Sequence, residues 1–236
     1  MKHKKKVLGI VTARGGSKGI PRKNLALLRG KPLLVYTAEA ALAASTLLHT
    51  ILSTDDEEIA EVGRSCGLEV PFMRPKELAA DDTPTLPVMR HAVMSLQNLG
   101  REYDAVCLLQ PTNPLRRPEH IDACVSLLFE RDADAVITVL PVPHQYNPHW
   151  VYFQDEHGTL RLITGETEPI PRRQELPRTF HREGSVYVVR RDVLLQKNSL
   201  YGDRLLGYPL DPDQSINIDD PDQLRRAEEL LQLRVN

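Results

Sequence analysis

The sequence predicts an α/β fold with a mostly parallel sheet, because short apolar strands alternate with amphipathic helical segments along its 236 residues. Residues 105–109 are apolar throughout, as strands buried on both faces of a parallel sheet are. Residues 33–44 instead place apolar side chains at helical spacing. No linker or internal repeat divides the chain, so we expect one domain over residues 1–236.

Strands are predicted at 7–11, 50–53, 68–70, 104–109, 135–139 and 215–218, with a hairpin pairing 151–153 and 160–163. Helices are predicted at about 33–44, 54–62, 86–99, 119–130 and 221–231. Thr54 has capping-box spacing, and Thr83 or Thr85 is expected to cap the helix at 86–99. Asp220 and Gln223 would cap the last helix.

Composition narrows the class of protein. The formal net charge of −2 argues against a nucleic-acid binder with a broad basic face. The three cysteines are widely separated and fit neither a zinc site nor a disulfide framework, which favours a cytoplasmic protein. No apolar run is long enough for a membrane span, so no membrane partner is expected. The basic residues 1–6 are interpreted as a solvated tail, not as a targeting segment.

Residues 13–24 follow the first strand and combine three glycines with four cations, Arg14, Lys18, Arg22 and Lys23. Glycines leave backbone N–H groups open to a ligand, and cations neutralise phosphate oxygens, so the pattern predicts a polyphosphate site. It is neither a Walker A loop nor a dinucleotide fingerprint. The alternative is a solvated basic turn, which would not need this many glycines and cations.

Three further positions are candidate site residues. Gln110 ends a buried strand, where ligands bind in open α/β sheets, and the alternative is that it bonds its own loop. Asp219 ends the strand predicted at 215–218 and is free of the capping role given to Asp220. The pair Arg172 and Arg173, between prolines, suits bidentate contact with a carboxylate or phosphate, or a surface turn.

These segments resemble the acylneuraminate cytidylyltransferases, the family that activates sialic acids, over nearly the whole chain. The loop 13–24 resembles the family's signature loop, and Arg74 with 78–83 resembles its Arg followed by Leu-Ala-x-Asp-x-Thr. Residues 109–116 resemble Leu-Gln-x-Thr-x-Pro-x-Arg, and 172–174 resemble Arg-Arg-Gln. In the segment similar to Asn-Gly-x-x-Tyr, Glu183 replaces the usual Asn.

The resemblance implies a Rossmann-like three-layer nucleotidyltransferase fold with a dimerisation arm at approximately 141–180. It implies transfer of CMP from CTP to the anomeric hydroxyl of a sialic-acid-like nonulosonic acid, a nine-carbon 2-keto sugar acid, with release of pyrophosphate. It also implies Mg²⁺ as cofactor and a homodimer.

The resemblance also assigns residues. Those expected to bind nucleotide or substrate are Ala13, Arg14, Gly15, Gly16, Ser17, Lys18, Lys23, Asn24, Arg74, Asp82, Thr83, Thr85, Gln110 and Arg172. Arg173, Lys18 and Arg14 are expected to stabilise the reacting phosphate. Asp219 and Asn217 are the expected Mg²⁺ ligands, and Asn217 stands where the family usually has Asp, which leaves the number of metal ions open.

Other activities stay open at this point. The acid could be pseudaminic, legionaminic, deaminated sialic acid (Kdn) or Kdo, although Kdo-activating enzymes have a different loop without the pair Gly15 and Gly16. A catalytically silent nucleotide sensor is the alternative outside the enzyme class, and Asn217 and Glu183 favour it. No residue is marked by the sequence as a general base.

Overall fold

A computed structural model describes residues 5–233, so the tail expected at 1–6 lies mostly outside the described residues. The strands are β1 (Val7–Thr12), β2 (Leu27–Leu28), β3 (Lys31–Pro32), β4 (His49–Ser53), β5 (Ala105–Leu109), β6 (Ala135–Pro141), β7 (Tyr152–Gln154), β8 (Leu160–Leu162), β9 (Phe180–Arg190) and β10 (Leu205–Pro209). The α-helices are α1 (Leu33–Ala43), α2 (Glu57–Ser65), α3 (Thr85–Asn98), α4 (Pro118–Glu130), α5 (Arg191–Leu195) and α6 (Pro221–Leu233).

Six strands form the central sheet, in the order β10-β6-β9-β5-β1-β4. Strand β9 runs antiparallel to both of its neighbours, and the other pairs are parallel. The predicted α/β class with a mostly parallel sheet is therefore confirmed. None of the helices in residues 5–233 has the length and apolar content needed to cross a membrane.

The side chains of β1 alternate between two buried clusters, one on each face of the sheet, so the fold has a layer of helices on both sides of the sheet. Val7 and Val11 pack with α1 and α4 in one buried cluster, while Leu8 and Ile10 pack with α3 and α5 in another. Successive side chains of a strand point to opposite faces, so a strand that is apolar at each of these positions needs helices on both sides. The central strands β1 and β5 are accordingly buried on both faces.

The sheet also gathers the loops of interest at one edge. Strands β1, β4 and β5 are parallel, so the segments that follow them, 13–22, 54–56 and 110–117, leave the sheet on the same side. Because β9 is antiparallel, it enters from that side, and Val186 pairs with the last residue of β5, Leu109. Residues 180–185 therefore reach the same edge.

Some predicted elements were wrong. Residues 215–218 are not a strand; they are held by a hydrogen bond from Ile218 N to Thr112 O (2.9 Å), and the unpredicted β10 forms one edge of the sheet. Residues 68–70 contribute only an isolated bridge, between Glu69 and Ile51. The unpredicted α5 follows β9 directly and buries Val193 against α3 and the sheet.

Two of the predicted helix caps were also wrong. Asp56, not Thr54, caps α2 by accepting from Ile59 N (3.0 Å). Helix α3 begins at Thr85 behind Pro84 without a side-chain cap. Pro84 occupies the N-cap position, and its ring restricts φ but offers no side-chain acceptor to the first N–H groups of the helix. The cap at Asp220 is confirmed, because its carboxylate accepts from Gln223 N at 2.8 Å.

The predicted hairpin is confirmed as β7 paired antiparallel with β8. It lies outside the central sheet, and most of residues 151–180 are exposed. Exposed apolar side chains include Phe153, which is 70% exposed, and Leu160, which is 57% exposed.

Two glycines of the segment 13–22 differ in what surrounds them. A Cβ on Gly19 would overlap the backbone carbonyl oxygen of Asp219, whereas a Cβ on Gly16 would meet nothing within 4 Å. The loop therefore packs directly on the chain that precedes α6 at Gly19, and that contact holds the two segments together.

We expect Gly19→Ala to lower the free energy of unfolding by about 1–3 kcal/mol, because the methyl group meets backbone that must move as a unit. Gly16→Ala, the matched control in the same loop, should change it by less than about 0.5 kcal/mol. Urea unfolding followed by circular dichroism measures both. Equal losses in the two variants would contradict the packing of Gly19.

Candidate active site

A cavity of about 560 Å³ opens at the edge of the sheet where β1, β4 and β5 end. The loop 13–24, the segment 74–88, the start of the loop after β5 and residues 217–219 form its walls. The lining residues are Thr12, Arg14, Ser17, Lys18, Gly19, Lys23, Asn24, Arg74, Leu78, Ala80, Asp81, Thr83, Thr85, Val88, Gln110, Pro111, Thr112, Asn217 and Asp219.

Three of the four loop cations line this cavity, and each is paired with an aspartate. Arg14 and Lys18 contact Asp81 at 2.9 and 3.0 Å, and the Lys18 ammonium holds the pKa of that carboxyl below its usual value. Lys23 Nζ lies 2.8 Å from Asp219. The cavity thus carries clustered positive charge that two carboxylates offset in part.

The fourth cation, Arg22, contributes to the fold. It has a left-handed backbone, with φ of 53°, and its guanidinium binds Asp56 and Glu58 at the start of α2. It does not line the cavity. Arg22 anchors the far end of the loop to α2.

Hydrogen bonds fix the backbone of the loop. Buried Ala13 donates to Ser53 O (3.1 Å), and Gly15 N donates to Asp55 Oδ1 (3.1 Å). Buried Asn24 reaches back to Arg14 O (3.0 Å). Ala13 and Asn24 therefore shape the loop from beneath. Gly15 and Gly16 are not among the lining residues.

Arg74 is buried beside the end of β4. Its Nε donates to Ser53 Oγ (3.1 Å) and its Nη2 to Ser53 O, so the guanidinium is fixed. Burial lowers the pKa of Arg74 to about 10, which still leaves it charged at neutral pH. Thr83 and Thr85 line the cavity as well, while Asp82 does not.

A second cavity of about 650 Å³ adjoins the first, and Thr85, Gln110 and Asn217 line both. Its remaining walls come from the start of β9, the loop after α5 and residues 215–216. Its lining residues are Pro84, Thr85, Leu86, Leu108, Gln110, Leu140, His181, Arg182, Glu183, Gly184, Tyr187, Leu200, Tyr201, Ser215, Ile216 and Asn217. Gln110 thus lies at the junction of two compartments.

Residues 5–233 contain no group of three or more His, Cys, Asp or Glu side chains suited to a metal ion. Asp219 nevertheless offers an exposed carboxylate at the cavity, and Mg²⁺ is commonly held by one or two carboxylates together with substrate phosphates. Asn217 contacts Asp219 as a donor, through Nδ2. Both oxygens of that carboxylate already accept from protein donors, Oδ1 from Lys23 and Oδ2 from Asn217, so a Mg²⁺ ion arriving with a phosphate ligand would displace at least one of them.

Arg172 and Arg173 lie elsewhere in the chain. Both are exposed, at the short 3-10 turn Arg173–Glu175 of the segment that also holds the hairpin, and neither lines either cavity. Arg172 Nε pairs with Glu175 at 2.7 Å. Within one chain, therefore, neither arginine reaches the cavities that the other predicted site residues line.

Among the lining residues that the sequence did not predict are Asp81, Arg182 and Tyr201. Asp81, adjacent to the chosen Asp82, is the aspartate that faces Arg14 and Lys18. Arg182 and Tyr201 line the second cavity, and Tyr201 comes from a loop that no sequence pattern marked. The Asp-x-Thr spacing from Asp81 to Thr83 was a usable signal for the first, whereas the second cavity is formed by distant segments.

Comparison with known proteins agrees with this geometry. A family model described as cytidylyltransferase matches residues 8–235. The chain is 31% identical to CMP-N,N'-diacetyllegionaminic acid synthase of Legionella pneumophila, over 97% of each chain. It is 31% identical to pseudaminic acid cytidylyltransferase of Campylobacter jejuni, over 83% of each. It is 30% identical to N-acylneuraminate cytidylyltransferase of Escherichia coli, over 91% of this chain and 49% of that one.

Among solved structures, a CMP:2-keto-3-deoxy-manno-octonic acid synthetase complexed with CTP superposes with a TM-score of 0.72, 18% identity and coverage of 97% and 99% of the two chains. At that identity the likeness concerns the fold, which is the predicted nucleotidyltransferase type. The family match extends from β1 through α6 and so includes every segment that lines the two cavities. The chain belongs to the cytidylyltransferase family.

Proposed function

We propose that this cytidylyltransferase moves CMP from CTP to the anomeric hydroxyl of a nonulosonic acid and releases pyrophosphate. The observation that carries the proposal is a cavity with three clustered cations that shares a wall with a second cavity. Relatives named for legionaminic, pseudaminic and N-acylneuraminic acids support the same class of acceptor.

The first cavity suits the nucleotide. Arg14, Lys18 and Lys23 would neutralise the triphosphate, and in doing so they would exchange Asp81 and Asp219 for phosphate oxygens. The loop backbone is already fixed by hydrogen bonds with Ser53, Asp55 and Asn24, so its cations need little further ordering to meet the phosphates. Arg74, Thr83 and Thr85, in the segment that forms another wall, are proposed contacts of the ribose and base.

The second cavity suits the sugar acid. Arg182 is a cation at its wall that can pair with the acid's carboxylate, and the interaction of Arg182 with Tyr187 and Tyr201 raises its pKa. Gln110 lines both cavities, so a contact of its side chain with both substrates would bring the anomeric hydroxyl beside the α-phosphate.

In the proposed reaction the anomeric hydroxyl loses its proton to water as its oxygen attacks the α-phosphorus. The bond to the bridging oxygen breaks, and its electron pair leaves with pyrophosphate. Such a transfer depends mainly on positioning and charge stabilisation. Lys18, Arg14 and Lys23 hold the departing phosphates. Asp219, with Asn217 beside it, would hold Mg²⁺, which supplies further neutralisation of the phosphate charge.

We further propose that the chain works as a cytoplasmic homodimer whose arm, at approximately 141–180, reaches the partner's active site. Exposed Phe153 and Leu160 on the hairpin are apolar surface suited to burial between two chains. Arg173 lies on the same arm and outside its own chain's cavities, so a role at the reacting phosphate requires a neighbouring chain. Free thiols at Cys66, Cys107 and Cys124 are compatible with a reducing compartment.

The activity is tested by pyrophosphate release from CTP and Mg²⁺ with each of five acids, namely N-acetylneuraminic, legionaminic, pseudaminic, deaminated sialic and Kdo. We expect release with at least one nonulosonic acid, equal in amount to a CMP conjugate identified by mass spectrometry. Reactions without an acid are the control. Tight CTP binding without pyrophosphate release across the panel would instead indicate the silent nucleotide sensor.

The arm is tested by complementation between two variants. Lys18→Ala should inactivate its own cavity, and Arg173→Ala should inactivate the cavity of its partner. After subunit exchange, half of the dimers are mixed and each has one intact site of two, so about a quarter of the wild-type rate should return. Each variant mixed with itself is the control.

Mixed dimers that are detected by native mass spectrometry and yet show no recovered turnover would contradict action of the arm across the dimer. An Arg173→Ala chain with wild-type turnover would contradict the catalytic role of the arginine itself.

A further inference from the structure

Glu183 lies at an irregularity where β9 leaves the regular ladder with β6. Tyr187 pairs with Ile137 and Arg182 pairs with Val139, so four residues of β9 face Thr138 alone. Gly184, at φ of 96°, takes the left-handed backbone that this bulge requires. The bulge displaces Glu183 from the ladder and places it at the wall of the second cavity.

The carboxylate of Glu183 is saturated by protein donors. Its Oε1 accepts from Asn113 Nδ2 (2.6 Å) and Ser215 Oγ (2.5 Å). Its Oε2 accepts from Ser185 N (2.9 Å) and Ser185 Oγ (2.5 Å). An ionised carboxylate has about four acceptor positions, so Glu183 has none left for a substrate hydroxyl or its proton.

Those donors belong to three separate walls of the site. Asn113 lies in the loop after β5, Ser185 in β9, and Ser215 in the segment that leads to Asn217 and Asp219. Glu183 therefore joins the three segments whose residues line the junction of the two cavities.

Arg116 completes the arrangement from the buried side. Its Nε donates to Ser185 O (3.0 Å), its Nη1 to Thr37 Oγ1 (2.7 Å) and its Nη2 to Gln110 O, which fixes the backbone of the junction residue. Burial lowers the pKa of Arg116 to about 10, and the negative charge of Glu183 opposes that shift. Burial likewise disfavours the charged form of Glu183, but its hydrogen bonds outweigh burial and hold its pKa below the usual value.

We propose that Glu183 is a positioning residue, which holds Gln110 and Asn217 in the geometry that aligns nucleotide and sugar acid. This inference rests on the proposed function. Glu183 stands where the acylneuraminate cytidylyltransferases usually have Asn. In the proposed role it does not touch the substrate.

Only a carboxylate satisfies this site. Asn113 Oδ1 accepts from Leu115 N (2.9 Å), which fixes the Asn113 amide with its N–H directed at Glu183. Ser185 N is a backbone donor and cannot reverse. In either orientation, a glutamine amide at position 183 would point its own N–H group at one of these N–H donors, and that pair could not form a hydrogen bond.

The test is Glu183→Gln, alone and combined with Asn113→Asp. The single variant should lower kcat roughly 10- to 100-fold, because misplacement at a reacting centre costs about that much, with the Kd for CTP changed less than about threefold. In the double variant the new carboxylate can accept from both the new amide and Leu115 N, and the local charge is restored. We expect kcat to return to within about threefold of the wild type.

A readout independent of turnover is hydrogen exchange at Ile218 N, which donates to Thr112 O across two of the joined segments. Exchange there should accelerate in Glu183→Gln and recover in the double variant, while the amides of β1 and β5 stay unchanged. Glu102→Gln, at an exposed carboxylate that pairs only loosely with Arg191 (3.4 Å), is the control for lost charge. If Glu183→Gln fails to fold, Ser215→Ala removes one donor, keeps the charge, and should accelerate the same exchange.

Wild-type kcat and exchange in Glu183→Gln would overturn the proposal, and so would acceleration spread evenly over the whole sheet, which signals general destabilisation. A wild-type protein without turnover on any acid defeats the proposed function instead. The exchange measurement would then still decide whether Glu183 joins the walls of the site.

Discussion

The site depends on one electrostatic constraint, the gathering of Arg14, Lys18 and Lys23 in a single loop. Like charges so close together repel, and the free protein offsets this with Asp81 and Asp219. Both carboxylates come from segments far away in the sequence, so the balance of charge also draws the walls of the cavity together. In the proposed reaction the same cations exchange these partners for phosphate oxygens, which requires little rearrangement of the loop itself.

Sheet geometry supplies the rest of the arrangement. Parallel β1, β4 and β5 deliver their following loops to one edge, and antiparallel β9 enters there with Glu183 and Arg182. Two compartments result, one lined by cations and one by residues of β9, with Gln110 between them. Arg116 and Glu183 lie behind that junction, and removing their charges from water costs free energy. Protein donors fill the acceptor positions of the Glu183 carboxylate, which offsets part of that cost.

The features that the sequence predicted well depend on local pattern. Glycines and cations after an apolar strand mark the loop 13–24, and the end of an apolar run marks Gln110. Features that depend on tertiary contacts escaped prediction. Residues 215–218 alternate like a strand, but their backbone pairs with a loop. The Asp-x-Thr spacing favours Asp81 over Asp82, but only the fold shows that Asp81 faces Arg14 and Lys18. The role of Glu183 depends on a bulge and on two distant donors.

The central claim, that the loop 13–24 binds the triphosphate, is tested most directly by calorimetric titration of Lys18→Ala and the wild type with CTP and with CMP. The side chain of Lys18 is 78% exposed, so its removal should leave the fold intact. We predict that CTP binds about tenfold more weakly, as the loss of one charge-assisted phosphate contact implies, while the affinity for CMP stays the same. Equal weakening for both nucleotides, or unchanged binding of CTP, would contradict the account.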